Sequence, residues 1–374
     1  MLIEDQASGT QLIQDLIADG CHGGTRYQPD GEKTMRMRVY VDFYVGAFDR
    51  EAELQPMRHV FSEERLPWLY TGNSQVRVRR DRPKVSHRLT ITHERTMTDL
   101  PPLPELRFAE IPAASRHRYV GDRFCYMEAG RVDLPPVLLL HGIGANSLYW
   151  RYQLAGLADR FRLIAWNAPG YLLSDNLRAE TPSCRDYADA LDDLLAALGI
   201  GGFDIVANSF GTRVAQCFAY HRSGRIGRAV FTGTSIHHGT PPEKRAQTVE
   251  ARAQMIERGG YDFGDRAAAL LGSAASADTL ALVQQTLRAT NPAGFMQAAR
   301  FIAEAEMPPL AAGLTMPLLM VQGEEDRVAP APTNAELLAA ALPHARLVML
   351  AGCGHLPEVE LPSRVNELIA THLS

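Results

Sequence analysis

Ser209 lies in the run VANSFGTRVA (206–215), where an apolar strand pattern ends at Asn208 and a helical pattern begins near Phe210. A serine squeezed into so tight a strand-to-helix turn has a strained backbone, and its hydroxyl is lifted above the sheet with the positive end of a helix behind it. The plainer alternative is a serine that merely caps the helix. To attack a carbonyl, the hydroxyl must lose its proton to a base. The base in turn needs a carboxylate that fixes its tautomer and stabilises its cation. Of the twelve histidines, His355 stands in a Gly-rich loop, GCGHLPEVE (352–360), after the last strand pattern. His237 and His238 follow an earlier strand and are placed to border a pocket, while His344 precedes the last strand and reads as packing or solvent-facing. Three acids, Glu324, Glu325 and Asp326, end the strand in VQGEEDRVAP (321–330).

These runs resemble motifs of the α/β-hydrolase superfamily. VANSFGTRVA is similar to the nucleophile elbow G-x-S-x-G, with Ala207 in place of the first glycine. HGIGANSLYW (141–150) resembles the oxyanion-hole loop that follows the third strand, and VQGEEDRVAP the G-x-x-D-x-x-x-P loop that carries the acid. WNAPGYLLSD (166–175) resembles the loop after the fourth strand, with Asp175 as a structural anchor. The resemblance runs over roughly residues 115–374. It implies Ser209 as nucleophile, His355 as general base and Asp326 as orienting acid, in the superfamily's chain order. Some relatives take the acid one strand earlier, but TGTSIHHGT (232–240) contains no carboxylate. The backbone N–H groups of Ile143 and Phe210 would hold the oxyanion, and His141 would be structural rather than a proton carrier. Gly142, Asn208, His237 and Phe295 are expected to line the substrate pocket, with Met296 and Phe301 beside Phe295. No metal and no cofactor is implied.

Positioning these residues requires a mostly parallel sheet. Strand patterns at 137–142, 162–170, 203–209, 228–234, 317–326 and 345–352 alternate with amphipathic helical ones such as CRDYADALDDLLAALG (184–199). RYVGDRFCYMEAG (118–130) reads as an antiparallel hairpin opening the sheet. Between 235 and 316 there is no strand pattern, only four helix-like stretches, too long a gap for an ordinary connection. The expected fold class is therefore α/β, an α/β-hydrolase domain over 113–374 with an inserted helical cap at about 235–316.

Residues 1–112 read as a separate small α+β domain in which no family motif is recognised. MRMRVYVDFYVG (35–46) and SHRLTITHERT (86–96) alternate as strands, helical patterns occupy 3–18 and 50–65, and PPLPEL (101–106) reads as a stiff linker. The basic run VRVRRDRPKVSHR (76–88) holds no aromatic residue and reads as a solvated strand edge rather than an anion or nucleic-acid surface.

The whole chain has 374 residues, a net charge of −5 and 22% charged residues. That balance gives no field to gather nucleic acid or an anionic membrane, and the expected partner is a small-molecule substrate. A homo-oligomer formed through the leading domain is a further expectation. The first twenty residues carry acids where a secretory signal would have a basic start, and no apolar run reaches the about 18 residues that span a bilayer. Five scattered cysteines suit reduced thiols, so a cytoplasmic location is expected.

Carboxylic ester hydrolysis through an acyl-enzyme needs nothing beyond these groups. The competing reactions are carbon–carbon bond hydrolysis of a diketone-like or ring-cleavage product, and lactone or amide hydrolysis. Capped relatives that cleave carbon–carbon bonds also carry Asn before the serine, as Asn208 does here, but commonly have Trp after the histidine, where this chain has Leu356. A non-catalytic binding protein on the same scaffold is the alternative outside enzymes.

Overall fold

A computed structural model describes residues 22–25, 39–42, 87–89, 100–236, 241–258, 262–304 and 308–374. The chain divides into two units, Met1–Thr98 and Asp99–Ser374. In the first, β1 (His22–Thr25), β2 (Val39–Asp42) and β3 (His87–Leu89) form an antiparallel sheet in which Val39 pairs with both Thr25 and Leu89. The two alternating runs each supply one of these strands. The expected helices at 3–18 and 50–65, the basic run before His87, and His237 and His238 lie outside the described residues.

The second unit is built on eight strands: β4 (Leu106–Glu110), β5 (Arg123–Ala129), β6 (Pro136–Leu140), β7 (Arg162–Trp166), β8 (Phe203–Asn208), β9 (Ile226–Thr232), β10 (Leu318–Gly323) and β11 (Ala345–Leu350). Their order is β11-β10-β9-β8-β6-β7-β5-β4, parallel from β11 to β7 and antiparallel at β5 and β4. The central strands are apolar almost throughout because helices cover both faces. Along β6, Leu138 and Leu140 enter one core with the helices Cys184–Ala197 and Phe210–His221, while Val137 and Leu139 enter the opposite one.

The topology fixes where chemistry can occur. The chain runs from β6 to β7 on one side, then returns to place β8 on the other side of β6, and ligands bind at such a switch point, beyond the carboxyl ends of the strands. Leu140 of β6 pairs with Ala207 of β8. The loop that begins at His141 and the turn at Ser209 therefore leave the sheet side by side.

Between β9 and β10 the chain makes the helices Pro242–Glu257, Ala267–Leu270, Ala277–Arg288 and Pro292–Glu304, and no strand among the described residues. Ser276 starts the third by accepting the N–H of Thr279, and Leu282, Val283, Thr286 and Leu287 form its buried stripe. Among the described residues no helix is long and apolar enough to cross a membrane.

Three expectations are corrected. The hairpin that opens the sheet is β4 with β5, and residues 118–121 form no strand of it. Tyr119 is instead buried, its hydroxyl donating to Asp193 at 2.8 Å. Second, β4 starts at the end of the Pro-rich run, so the boundary drawn at 112 moves back to residues 98/99. Third, Cys184 and Cys217, Cα atoms 5.3 Å apart on adjacent helices, form a disulfide, while Cys125 and Cys353 are free and buried. The cysteines are therefore not all reduced thiols, and they do not point to a cytoplasmic location.

Candidate active site

Ser209 has φ 50° and ψ −112°, a conformation few non-glycine residues adopt. Its backbone is pinned on both sides. The N–H donates to Thr232 O at 3.1 Å, and the carbonyl accepts the Thr212 N–H at 2.9 Å and hydroxyl at 2.6 Å. Gly211 is glycine by necessity, since a Cβ there would lie 2.2 Å from Leu140 O. Ala207 is fully buried between β6 and β9, where its methyl is accommodated. Gly142 passes directly over the elbow: a Cβ on it would come within 2.6 Å of Asn208 Oδ1 and 3.3 Å of Ser209 Cβ. Among the described residues no hydrogen bond engages the N–H of Ile143 or of Phe210.

His355 is buried, and its Nδ1 lies 2.8 Å from Asp326 Oδ2. Four backbone groups hold its loop: the His355 N–H donates to Leu270 O at 2.7 Å, the His355 carbonyl accepts Asn208 Nδ2 at 3.2 Å, and Glu360 accepts the N–H groups of Gly354 and Leu356. Gly233 leaves room for the imidazole, since a Cβ there would be 2.9 Å from Nδ1. Asp326 has both oxygens engaged. Oδ1 accepts Val328 N at 2.8 Å and Ala329 N at 2.9 Å, and Oδ2 accepts Gln322 Nε2 at 2.6 Å in addition to His355. Burial raises the pKa of this carboxyl, but the bond and charge of His355 and the two backbone donors outweigh it and hold the group below its ordinary value.

The competing acids are elsewhere. Glu324 is exposed, and Glu325 faces Ser273, accepting its N–H at 2.7 Å and its hydroxyl at 2.6 Å. His344 bonds to Leu314 O at 2.8 Å. His141 has Nδ1 2.8 Å from Gly142 O, and its Nε2 accepts the Ala168 N–H at 3.1 Å; burial drives its pKa down to about 4. It is thus a neutral strut for its loop. Asp175 is likewise an anchor, accepting the Arg123 N–H at 2.8 Å.

A cavity opens between this machinery and the helical insertion. Its walls include Gly142, Ile143, Asn208, Ser209 and His355 from the sheet side, Leu270, Val283, Thr286, Leu287 and Arg266 from the insertion, and Tyr149, Val328 and Leu356. Phe295 does not line it. Its ring packs against Phe263, with centroids 5.0 Å apart, and lies beneath the guanidinium of Arg266. Phe301 is deeper, against Tyr187 and Phe210 in the core under the elbow.

Sequence reasoning also missed Glu358, a carboxyl buried beneath the site. Tyr149 donates its hydroxyl to it at 2.5 Å, and the Thr232 hydroxyl is hydrogen-bonded to its other oxygen. Burial pushes its pKa from the ordinary 4.5 up to about 8. Between those values the folded protein keeps a proton that the unfolded chain releases, so stability falls as pH rises across this window, by on the order of 5 kcal/mol in total. Glu358→Gln is expected to flatten that slope. Urea unfolding of both proteins at several pH values from 5 to about 8.5 checks this, and identical slopes would show that Glu358 does not hold the proton.

A family model of the alpha/beta hydrolase fold matches residues 135–360, and the chain belongs to the α/β-hydrolase family. Uncharacterised proteins of Mycobacterium bovis and Mycobacterium tuberculosis are 41% identical over 97 residues, a match covering 26% of this chain and 28% of theirs. A 2-hydroxy-6-oxononadienedioate/2-hydroxy-6-oxononatrienedioate hydrolase of Pseudomonas putida is 26% identical over 287 residues, covering 68% of this chain and 96% of the relative. The structure of a thermophilic esterase from Thermogutta terrifontis superposes with a TM-score of 0.62 at 24% identity, covering 72% of this chain and 98% of the esterase. That likeness concerns the fold alone.

Proposed function

We propose that this chain hydrolyses a small, largely apolar carboxylic ester through an acyl-enzyme formed on Ser209. The observation that carries the reading is Ser209, at a strained elbow, sharing one cavity with a histidine whose Nδ1 is bonded to a buried carboxylate. His355 takes the proton from Ser209 Oγ as the oxygen attacks the carbonyl carbon. The carbonyl oxygen becomes anionic and is held by the N–H groups of Ile143 and Phe210. His355 then passes its proton to the departing alcohol. A water activated by the same imidazole releases the acid and restores the serine. Asp326 keeps Nδ1 protonated throughout and stabilises the imidazolium. The helical insertion acts as a cap whose apolar residues Leu270, Val283 and Leu287 cover the acyl group and exclude bulk water.

Asn208 supports this reading without requiring carbon–carbon cleavage, because its amide nitrogen is committed to Thr232 and to the His355 carbonyl as a strut between the two loops. The test is a fluorophosphonate probe together with a short-chain nitrophenyl ester. Ester turnover that the probe abolishes, with the label found on the peptide carrying Ser209, is the expected result. Turnover that survives complete labelling of Ser209, or no ester turnover by folded protein, would exclude the proposal.

A further inference from the structure

Glu358 stands three residues beyond His355, in the short helix Pro357–Glu360, and is fully buried. Its carboxyl joins three parts of the site. Tyr149, which lines the cavity, donates its hydroxyl to Oε2 at 2.5 Å. Oε1 is hydrogen-bonded to the hydroxyl of Thr232, the residue whose carbonyl pins the Ser209 N–H. Asn208, next to the serine, donates Nδ2 to that same hydroxyl at 3.2 Å and to the His355 carbonyl at 3.2 Å. A closed path therefore runs from His355 along the chain to Glu358, across Thr232 and Asn208, and back to His355.

The hydrogen bonds of this path suit a neutral carboxyl. With Oε2 accepting from Tyr149, the acid proton sits on Oε1 and is donated to Thr232, whose own hydroxyl proton turns to Ala207 O, 3.4 Å away. Among the described residues no Lys, Arg or His side chain bonds to Glu358, although Arg151 and Arg364 lie on helices packed against its own. The charge of Glu360 opposes its ionisation, and Asp326 stands close enough to act, with Glu358 and Glu360, on the Cys353 thiol between them. Burial pushes Tyr149 and Cys353 further up, and it is Glu358 that it brings to about 8. A buried anion with no counter-charge is relieved by reaching water, and a side chain three residues from His355 cannot do so without drawing the loop after it. We propose that Glu358 is a positioning residue that works as a neutral acid, pinning the His355 loop to the nucleophile elbow through Thr232 and Asn208, and that its ionisation releases this loop and sets an alkaline limit on activity. The inference rests on the ester-hydrolase reading and adds a proton-dependent support to that same site.

The test is the pH dependence of kcat on a short-chain nitrophenyl ester between pH 6.5 and 9.5, with circular dichroism recorded at each pH. In the wild-type protein kcat should fall above pH 8, to about one tenth of its pH 7 value at pH 9, while the protein stays folded. Glu358→Gln cannot ionise, and its amide can donate to Thr232 while its oxygen accepts from Tyr149, so its kcat should hold level through pH 9. Tyr149→Phe removes a donor that favours the carboxylate, so the fall should move to higher pH. The wild-type profile and the tyrosine variant keep the test decisive if the glutamine variant does not fold. A wild-type kcat that stays level to pH 9, or a fall that merely follows loss of the folded signal, would overturn the proposal while leaving the serine hydrolase standing. So would the same fall in Glu358→Gln, or one that Tyr149→Phe leaves unmoved, since either would put the limit on another group. Absence of ester turnover at every pH would instead refute the parent reading and this one with it.

Discussion

Replacing Ser209 by alanine is expected to lower kcat on a short nitrophenyl ester by about a million-fold while the protein remains folded. The fold should survive because the hydroxyl makes no capping bond to the helix that follows it. The elbow is held instead by the backbone of residue 209, through Thr232 and Thr212, and by the close approach of Gly211 to Leu140. Those contacts are unchanged in the alanine variant. His355→Ala should lose a comparable amount, since without a base the serine keeps its proton. The informative measurement is the double variant. Nucleophile and base act as one unit, so the double loss should be hardly larger than either single loss. Losses that multiplied would mean that the two residues serve separate steps. A Ser209→Ala protein with near wild-type turnover, contamination excluded, would end the assignment.

The same contacts explain why this part of the site was legible in the sequence. Each proposed catalytic residue sits just beyond the end of a strand, where residue type and neighbouring glycines are dictated by a local backbone path: the elbow at Ser209, the turn through Asp326, the loop at His355. Local constraints of this kind leave a local signature. The cavity's far wall is different in origin. Leu270, Val283 and Leu287 reach it only because the insertion folds back over the sheet, and no short run of sequence records that path. Phe295 and Phe301 were natural candidates as the largest apolar side chains of the last insertion helix. The helix turns them inward, toward Phe263 and Phe210. Large aromatic side chains bury the most area, so the core competes for them first.

Two further misreadings share a cause in distance along the chain. The Cys184–Cys217 pair spans 33 residues and depends on how two helices pack, which cysteine spacing cannot specify. Strand β4 is a short, half-exposed edge, LRFAE, whose burial does not alternate and whose start is masked by the prolines before it. Only its pairing with β5 places it in the catalytic sheet. Glu358 was overlooked for another reason. In PEVE, two acids at the start of a short helix read as solvated, whereas one is buried against Tyr149 and Thr232 and the other holds the His355 loop.

Asp326→Asn is expected to lower kcat by about ten-thousand-fold with little change in structure. The hydrogen bonds around the carboxylate dictate how the amide must sit. The position of Oδ1 faces two backbone donors, the N–H groups of Val328 and Ala329, so the asparagine oxygen has to occupy it. The amide nitrogen then falls where Oδ2 was, against Gln322 Nε2 and His355 Nδ1. A donor in that place can be met only by an imidazole whose Nδ1 is unprotonated, which moves the proton to Nε2. An Nε2 that already carries a proton cannot accept the one from Ser209, so the base is switched off although every atom stays close to its place. Gln322 shares the conflict and must turn its own amide. Glu324→Gln and Glu325→Gln provide the comparison, since neither side chain approaches the histidine and each should alter turnover little. Kinetics of all three variants on one ester decide the matter. Near-normal turnover by Asp326→Asn alongside collapse in either glutamate variant would mean that the acid partner of His355 had been assigned to the wrong residue.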